Sequence, residues 1–159
     1  MLDTSSILLS DVIALVESSN NPHAMRFEAA TYQSLMTGAM TPAHAAIVAN
    51  IQGIHKCSQS TAQVIFSTSY GAYQIMGFNL YDGSGGTQQD IITFCSDSAE
   101  QTRLFNNFCI ENQIAFLPVS LAASSQIRQY FGARYNGNGA AYAPEIAAAL
   151  TTLGFTVTP

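Results

Sequence analysis

The stretch Val16-Glu17-Ser18-Ser19-Asn20-Asn21-Pro22 decides how the rest of this sequence is interpreted. Upstream of it, Glu17 continues a row formed by Leu9 and Ile13 at intervals of four residues, which is the spacing of one helix face. Two asparagines and a proline follow, and they are typical of a helix end. The sequence therefore predicts a first helix that ends near Ser18, with Glu17 beside its apolar face.

A carboxylate in that position loses hydration, and this disfavours its charged form. We therefore expect the pKa of Glu17 to be raised toward the range in which a carboxyl group donates a proton near neutral pH, as a general acid must. The alternative is a solvated residue in a last helical turn, where the helix dipole does not favour a negative charge. From this helix alone, the solvated alternative is the favoured one.

Length and composition exclude several classes of protein. The 159 residues predict a single domain over residues 1–159, large enough to bury its own core. No apolar run approaches the roughly 18 residues of a membrane span, and no basic segment precedes an apolar one at the N-terminus, so we expect neither membrane insertion nor a signal peptide. A net charge of −5 with only five Lys and Arg residues argues against nucleic acid and favours an uncharged or polar polymer as partner.

The cysteines and histidines do not form a recognisable metal site. Cys57, Cys95 and Cys109 form no CxxC pair and are odd in number, so we expect buried free thiols. His55 lies two residues before Cys57, but this pair alone is too sparse for a metal site, and His23, Asp82 and Asp90 are scattered along the chain. We expect no metal and no cofactor.

A second informative segment spans residues 69–79, Ser-Tyr-Gly-Ala-Tyr-Gln-Ile-Met-Gly-Phe-Asn. Its glycines permit close backbone approach, its tyrosines offer flat faces with polar tips, and Gln74 can both donate to and accept from an amide or hydroxyl. These are the groups that a carbohydrate site uses. Packing in the aromatic core is the alternative for Tyr70 and Tyr73.

Periodicity and capping signals predict a mainly α protein. The first helix begins near residues 4–6 with Asp3 or Thr4 as its cap, and another follows Thr41-Pro42 and is closed by Gly53. Further helices are expected at residues 60–66, after Asp97, at 125–135 and at 143–150. The helix at 125–135 is expected to bury Ile127, Tyr130 and Phe131, and Tyr135 is a further candidate. With no repeat and no strand-rich region, at most a small β-hairpin is expected.

Three segments, taken in order, resemble motifs of the lysozyme superfamily. They are the stretch from Glu17 to Pro22, then Gly71-Ala72-Tyr73-Gln74-Ile75-Met76, then Ala133-Arg134-Tyr135-Asn136-Gly137. Lytic transglycosylases carry a catalytic glutamate followed by serine and a later Asn-Pro, then Gly-x-x-Gln-Ile, then Ala-x-Tyr-Asn. The chain is still more similar to the phage and bacterial N-acetylmuramidase family, related to goose-type lysozyme, at residues 69–79, 98–101, 105–112 and 133–137. The resemblance spans residues 13–150 and implies a lysozyme-like fold.

The resemblance also implies an activity and a set of site residues. The reaction is cleavage of the β-1,4 bond between N-acetylmuramic acid and N-acetylglucosamine in peptidoglycan glycan strands, with Glu17 protonating the leaving oxygen. A second carboxylate, for which Glu28 is the candidate and Asp82 the other possibility, completes hydrolysis. Without one, the muramic acid 6-hydroxyl closes a 1,6-anhydro ring, as in a lytic transglycosylase. The cleft is expected to be lined by Tyr70, Gln74, Tyr135 and Asn136, which hold N-acetyl groups and orient Glu17.

A non-catalytic alternative is a virion structural or wall-binding protein that keeps the fold without the activity. Retention of Glu17 with Gln74 and Tyr135 argues against it, since a binding module needs no acid at a helix end. The expected absence of a signal peptide fits two settings equally. One is a phage lysis enzyme made in the cytoplasm and released to the cell wall; the other is a virion-delivered, wall-degrading component. In either setting the protein is expected to be a monomer or virion-associated.

Overall fold

The computed structural model describes residues 4–38, 40–83 and 85–159. Within these ranges the chain forms ten helices and three strands. The helices are α1 (Leu9–Ser18), α2 (Ala29–Thr37), α3 (Pro42–His55), α4 (Gln59–Phe66), α5 (Gly77–Leu80), α6 (Ile91–Ser96), α7 (Ser98–Glu111), α8 (Pro118–Ala123), α9 (Ser125–Tyr135) and α10 (Gly139–Thr152), and the strands are β1 (Met25–Phe27), β2 (Thr68–Tyr70) and β3 (Ile75–Met76). The prediction of a mainly α protein with a small sheet is confirmed, and the sheet has one strand more than a hairpin.

The described chain divides into two compact units. The first comprises residues up to Asn20 together with Phe105–Pro159, and the second is Asn21–Leu104. Helix α7 begins in the second unit and ends in the first. The single domain expected over residues 1–159 stays a prediction.

The first unit is a bundle in which α10 packs along α9, while α1 and α8 also contact α10. Its fully buried side chains are Val12, Ile13, Phe105, Ile114, Leu121, Phe131, Ile146 and Leu150. Each large apolar side chain so buried contributes about 1.5–3 kcal/mol relative to exposure. Helices α9 and α10 approach closely at Gly132, where an added Cβ would lie 2.9 Å from Tyr142 Cβ. The absence of a side chain at Gly132 therefore sets how Tyr142 is held.

The second unit contains the sheet and the helices around it. Strand β2 lies in the middle and pairs antiparallel with β1, Met25 opposite Tyr70, and with β3, Ser69 opposite Met76. Helices α3 and α4 pack together, and α4 also contacts α2 and α5. All three residues of β2 are buried, whereas all three of β1 are exposed. The sheet thus has a buried centre and an exposed edge.

The first helix ends as predicted but begins later. It ends at Ser18, followed by the left-handed residues Ser19 and Asn20, and the N–H of Asn20 donates to Ala14 O at 2.9 Å. Its start is at Leu9, because Asp11 Oδ2 accepts from the N–H of Leu8 at 2.7 Å and so caps the helix there. The prediction of a start near residues 4–6 is therefore wrong. Of its two predicted caps, Asp3 lies outside the described residues.

Two other boundaries also differ from the predictions. Helix α3 is capped by Thr41, as predicted, but continues through Gly53 to His55. Helix α10 begins at Gly139 because Asn138 Oδ1 accepts from the N–H of Ala141 at 3.2 Å, so Pro144 lies inside the helix and does not start it.

Helix α9 has the predicted bounds, but the side chains that it buries differ in part from the prediction. Phe131 is buried as expected, whereas Tyr130 is 41% exposed and Ile127 is only partly buried. Arg128 is buried instead, and its guanidinium donates to Leu121 O at 2.7 Å and to Thr158 O at 2.6 Å. A buried cation is tolerated there because backbone carbonyls replace its hydration.

The expectation of free thiols is confirmed. Cys57, Cys95 and Cys109 are all free, and the last two are buried as expected. The expectation of burial is wrong for Cys57, which is partly exposed. Burial raises the pKa of the Cys95 thiol and raises that of Cys109 to about 12.

Candidate active site

Glu17 lies one residue before the end of α1 and is partly buried. In the turn before it, Ile13 is fully buried and Ala14 is nearly so. The side chain of Glu17 therefore emerges beside the apolar face of the helix, as the spacing predicts.

The carboxyl group of Glu17 is held by a tyrosine that the sequence analysis did not single out. Tyr142 Oη donates a hydrogen bond to Glu17 Oε1 at 2.6 Å, across 125 residues of sequence. Tyr142 lies in the first half of α10 and is 3% exposed. Burial raises the pKa of Tyr142 far above its ordinary value, with further upward contributions from Tyr135, Glu17 and Glu145. The phenol therefore stays protonated at every physiological pH and acts toward Glu17 as a donor.

An aromatic cluster fixes the Tyr142 ring. The rings of Phe131 and Tyr142 are within 10° of parallel, with centroids 6.5 Å apart, and Tyr135 stacks on both at 5.3 and 5.9 Å. Phe105 and Phe108 meet the Tyr135 ring edge-on. Stacked and edge-on pairs of this kind contribute about 0.5–1.5 kcal/mol each beyond area burial. The cluster therefore restrains the direction in which Tyr142 Oη points.

Two predicted substrate-binding residues lie in the same unit as Glu17. Tyr135 is the last residue of α9 and is partly exposed, and Asn136 follows it as an exposed cap. Gly137 next takes a positive φ of 83°, which turns the chain toward α10. The first unit thus carries Glu17, Tyr135, Asn136 and the unpredicted Tyr142.

The other predicted residues belong to the second unit. Gln74 closes the turn between β2 and β3 with a φ of 48° and is partly buried. Its Oε1 accepts from Ser69 Oγ at 2.9 Å, and its Nε2 donates to Gly71 O at 3.0 Å. The amide of Gln74 therefore stabilises the hairpin that presents it, in addition to any contact with a ligand.

The same turn is anchored by a second glutamine. Gln101, on α7, is 1% exposed, and its Oε1 accepts from the N–H of Ala72 at 2.8 Å. Its Nε2 lies within hydrogen-bonding distance of three backbone carbonyls, those of Pro22, Phe94 and Cys95. A buried amide with these bonds satisfies backbone groups of three separate segments at once.

Tyr70 is buried in β2 with 4% exposure. Burial is the main reason that the pKa of Tyr70 is raised to about 12. Of the two interpretations of this residue, the burial favours packing in the core over a ring face open to a sugar.

The candidate second carboxylates also lie in the second unit. Glu28 occupies the position immediately before α2, and its Oε1 accepts from Arg26 Nε at 2.6 Å. Asp82 is exposed, and its Oδ1 accepts from the N–H of Gly85 at 3.4 Å. Both carboxylates thus have local partners within their own segments.

Two important residues were missed, and the sequence carried a signal for each. Tyr142 precedes Ile146, Ala149 and Leu150 at intervals of four, seven and eight residues, which marks it as part of a buried helix face. Gln101 lies four residues before Phe105 on the inward face of α7. A polar residue on an apolar face indicates a buried hydrogen-bonding role.

Comparison with known proteins identifies the family. The chain is 38% identical over 130 residues to the endolysin of Enterobacteria phage PRD1, covering 81% of this chain and 85% of that protein. The chain therefore belongs to the phage endolysin family. No protein-family model and no solved structure matches it. In the described ranges no helix has the length and hydropathy required to cross a bilayer.

Proposed function

We propose that this chain degrades peptidoglycan as a glycosidase, cleaving the β-1,4 bond between N-acetylmuramic acid and N-acetylglucosamine with Glu17 as general acid. The observation that carries the proposal is the hydrogen bond from Tyr142 to Glu17 at the end of a helix. Membership of the endolysin family supports the substrate, and the ordered motifs around Glu17, Gln74 and Tyr135 support the reaction.

The proposed mechanism begins with proton transfer. With Oε1 accepting from Tyr142, the transferable proton of Glu17 is assigned to Oε2, from which it passes to the glycosidic oxygen as the bond to the anomeric carbon breaks. General acid catalysis of this kind contributes about 10²–10⁴-fold to the rate. Tyr135, Asn136 and Gln74 are proposed to contact the sugars, since each is at least partly accessible.

Two outcomes complete the reaction. Attack by water on the anomeric carbon gives a free reducing end. Attack by the muramic acid 6-hydroxyl gives a 1,6-anhydro product, and the proton of that hydroxyl passes to the Glu17 carboxylate, which is ionised after the first step. Glu28 is proposed as the base only for the first outcome, and its pairing with Arg26 gives it a structural role as well. The second outcome makes the protein a lytic transglycosylase.

The test combines one substitution with product analysis. Purified peptidoglycan is digested with the parent and with Glu17→Gln, and the products are identified by mass spectrometry. We expect the parent to release disaccharide-containing fragments and Glu17→Gln to be slower by several orders of magnitude at an unchanged thermal midpoint, because glutamine keeps the shape but carries no acidic proton. Glu111→Gln, an exposed carboxylate of the same unit, is the matched control.

Each result has a distinct meaning. Reducing ends support hydrolysis, and anhydro ends support the transglycosylase. If Glu17→Gln is active, Glu17 is not the general acid. A parent that binds walls without releasing any product supports the wall-binding alternative and overturns the proposal.

A further inference from the structure

We infer that Tyr142 is the positioning residue of Glu17: it fixes the orientation of the acid's carboxyl group and also sets the upper pH limit of activity. This inference rests on the proposed role of Glu17. It concerns a residue outside the three motifs, since Tyr142 lies five residues beyond Gly137.

The first step of the argument is that the donor is immobile. Tyr142 is 3% exposed, its ring lies in the aromatic cluster with Phe131 and Tyr135, and its Cβ lies against Gly132. A phenol so packed cannot turn Oη away from Glu17 without moving α9 or α10. The 2.6 Å hydrogen bond therefore restrains the Glu17 carboxyl group.

The second step is that the donor does not titrate. The ionisable groups that act on Tyr142 are Tyr135 on α9, Glu145 on α10 and Glu17 on α1, and burial adds to their effect. All of them favour the protonated phenol. Loss of activity at alkaline pH is then assigned to ionisation of Glu17 and not of Tyr142.

The third step is that one hydrogen bond has two opposing consequences. It holds the carboxyl group in the reactive direction, which raises kcat. It also stabilises the ionised carboxylate, because a donor to a carboxylate favours the charged form. Removing the hydroxyl should therefore lower kcat and, in the same variant, move the alkaline limb of the pH profile to higher pH. A purely structural role for Tyr142 predicts no movement of this limb.

The experiment measures kcat, KM and the pH profile of peptidoglycan digestion for Tyr142→Phe. We expect kcat to fall roughly tenfold to hundredfold with little change in KM, and the alkaline limb to move up by about one pH unit. Tyr130→Phe removes the same hydroxyl from an exposed tyrosine of α9 and is expected to match the parent. A second probe is 3-fluorotyrosine at position 142, whose more acidic hydroxyl is a stronger donor; it should keep the fold and move the limb to lower pH.

The outcomes separate this inference from the function on which it rests. If Glu17→Gln is inactive while Tyr142→Phe keeps the parental kcat and alkaline limb, the inference is wrong and the proposed function stands. If Glu17→Gln is fully active, the proposed role of Glu17 is wrong, and the inference that rests on it is wrong as well. If Tyr142→Phe does not fold, the pH profile of the protein with 3-fluorotyrosine at position 142 decides. A shift of its alkaline limb to lower pH supports the inference, and an alkaline limb that does not move overturns it.

Discussion

Arg26 and Glu28 form an ion pair across a single intervening residue, with Nε 2.6 Å from Oε1, although the side chain of Arg26 is 58% exposed. Phe27, the aromatic residue between the two charges, does not shield the pair, because β1 is an exposed edge strand and Phe27 itself is 49% exposed. An ion pair in such a position is screened by water and salt.

We predict that Glu28→Gln lowers the free energy of unfolding by no more than about 1 kcal/mol, the usual contribution of an exposed pair. Specific activity should stay near the parental value if Glu28 only pairs with Arg26. Arg26→Gln breaks the same pair from the other side and is the matched control. Loss of activity in Glu28→Gln at an unchanged thermal midpoint, with Arg26→Gln unaffected, would instead assign Glu28 to the chemistry.

Three glycine-to-alanine substitutions should differ in sign and size. Gly71→Ala should be the most destabilising, because φ is 78° there and the new Cβ would lie 2.5 Å from Gln101 Oε1. Gly137→Ala, with φ of 83° and open space around it, should cost about 1–2 kcal/mol for backbone strain alone. Gly53→Ala, inside α3 with no atom within 4 Å of the new methyl group, should stabilise by about 0.5–1 kcal/mol. Urea unfolding of the three variants checks the order, and any other order contradicts the described turn.

Gln101→Ala should destabilise the protein by about 2–4 kcal/mol, since it leaves the N–H of Ala72 and several carbonyls without their buried partner. Gln126→Ala, on the exposed face of α9, should change stability by less than about 0.5 kcal/mol. Thermal unfolding of both variants measures the contrast. Equal midpoints would mean that Gln101 does not anchor the turn.

The pH dependence of stability should have a contribution from His55. Tyr81 Oη donates its only proton to Gln89 O, so the contact of 2.9 Å between His55 Nε2 and Tyr81 Oη requires the histidine to donate. Burial lowers the pKa of His55 below its usual 6.5, against an opposing effect of Asp90. The unfolded chain therefore binds this proton at a higher pH than the folded one. The contribution of neutral, buried His55 to stability is complete above pH 6.5. It is lost as the pH falls below 6.5 toward the pKa that His55 has in the folded protein.

We expect the free energy of unfolding to fall less between pH 7.5 and 5.5 in His55→Gln than in the parent. His23→Gln, at an exposed position, serves as control and should follow the parental curve. Parallel curves for all three proteins would show that the burial of His55 has no effect on stability in this range.

Local signals in the sequence were sufficient for most helices. The end of α1, the Thr41 cap of α3 and the full range of α9 follow from capping residues and helix-ending residues that act within a few positions. The sequence predicts that this last helix starts at residue 143, next to Pro144, a common first helical residue, but Asn138 caps α10 earlier. Two competing local signals cannot be ranked without the contacts of the folded chain.

The sequence offered candidate site residues only where the motifs are contiguous. Glu17, Gln74 and Tyr135 are proposed from short runs of sequence, whereas the role proposed for Tyr142 depends on a contact with a residue 125 positions away. The role of Gln101 likewise depends on segments brought to it by folding. Long-range pairing of this kind leaves only an indirect trace in a single sequence, namely a polar group on an apolar helix face.

The buried thiols allow the independence of the two units to be measured. Cys109 lies in the first unit and Cys95 in the second. The pKa of each thiol is raised by burial, so little reactive thiolate is present while the protein is folded. In a Cys57→Ser background, the rate at which an alkylating reagent labels each thiol reports the opening of its own unit. One shared opening free energy means that the whole chain unfolds cooperatively, and two different values mean that one unit opens while the other stays folded.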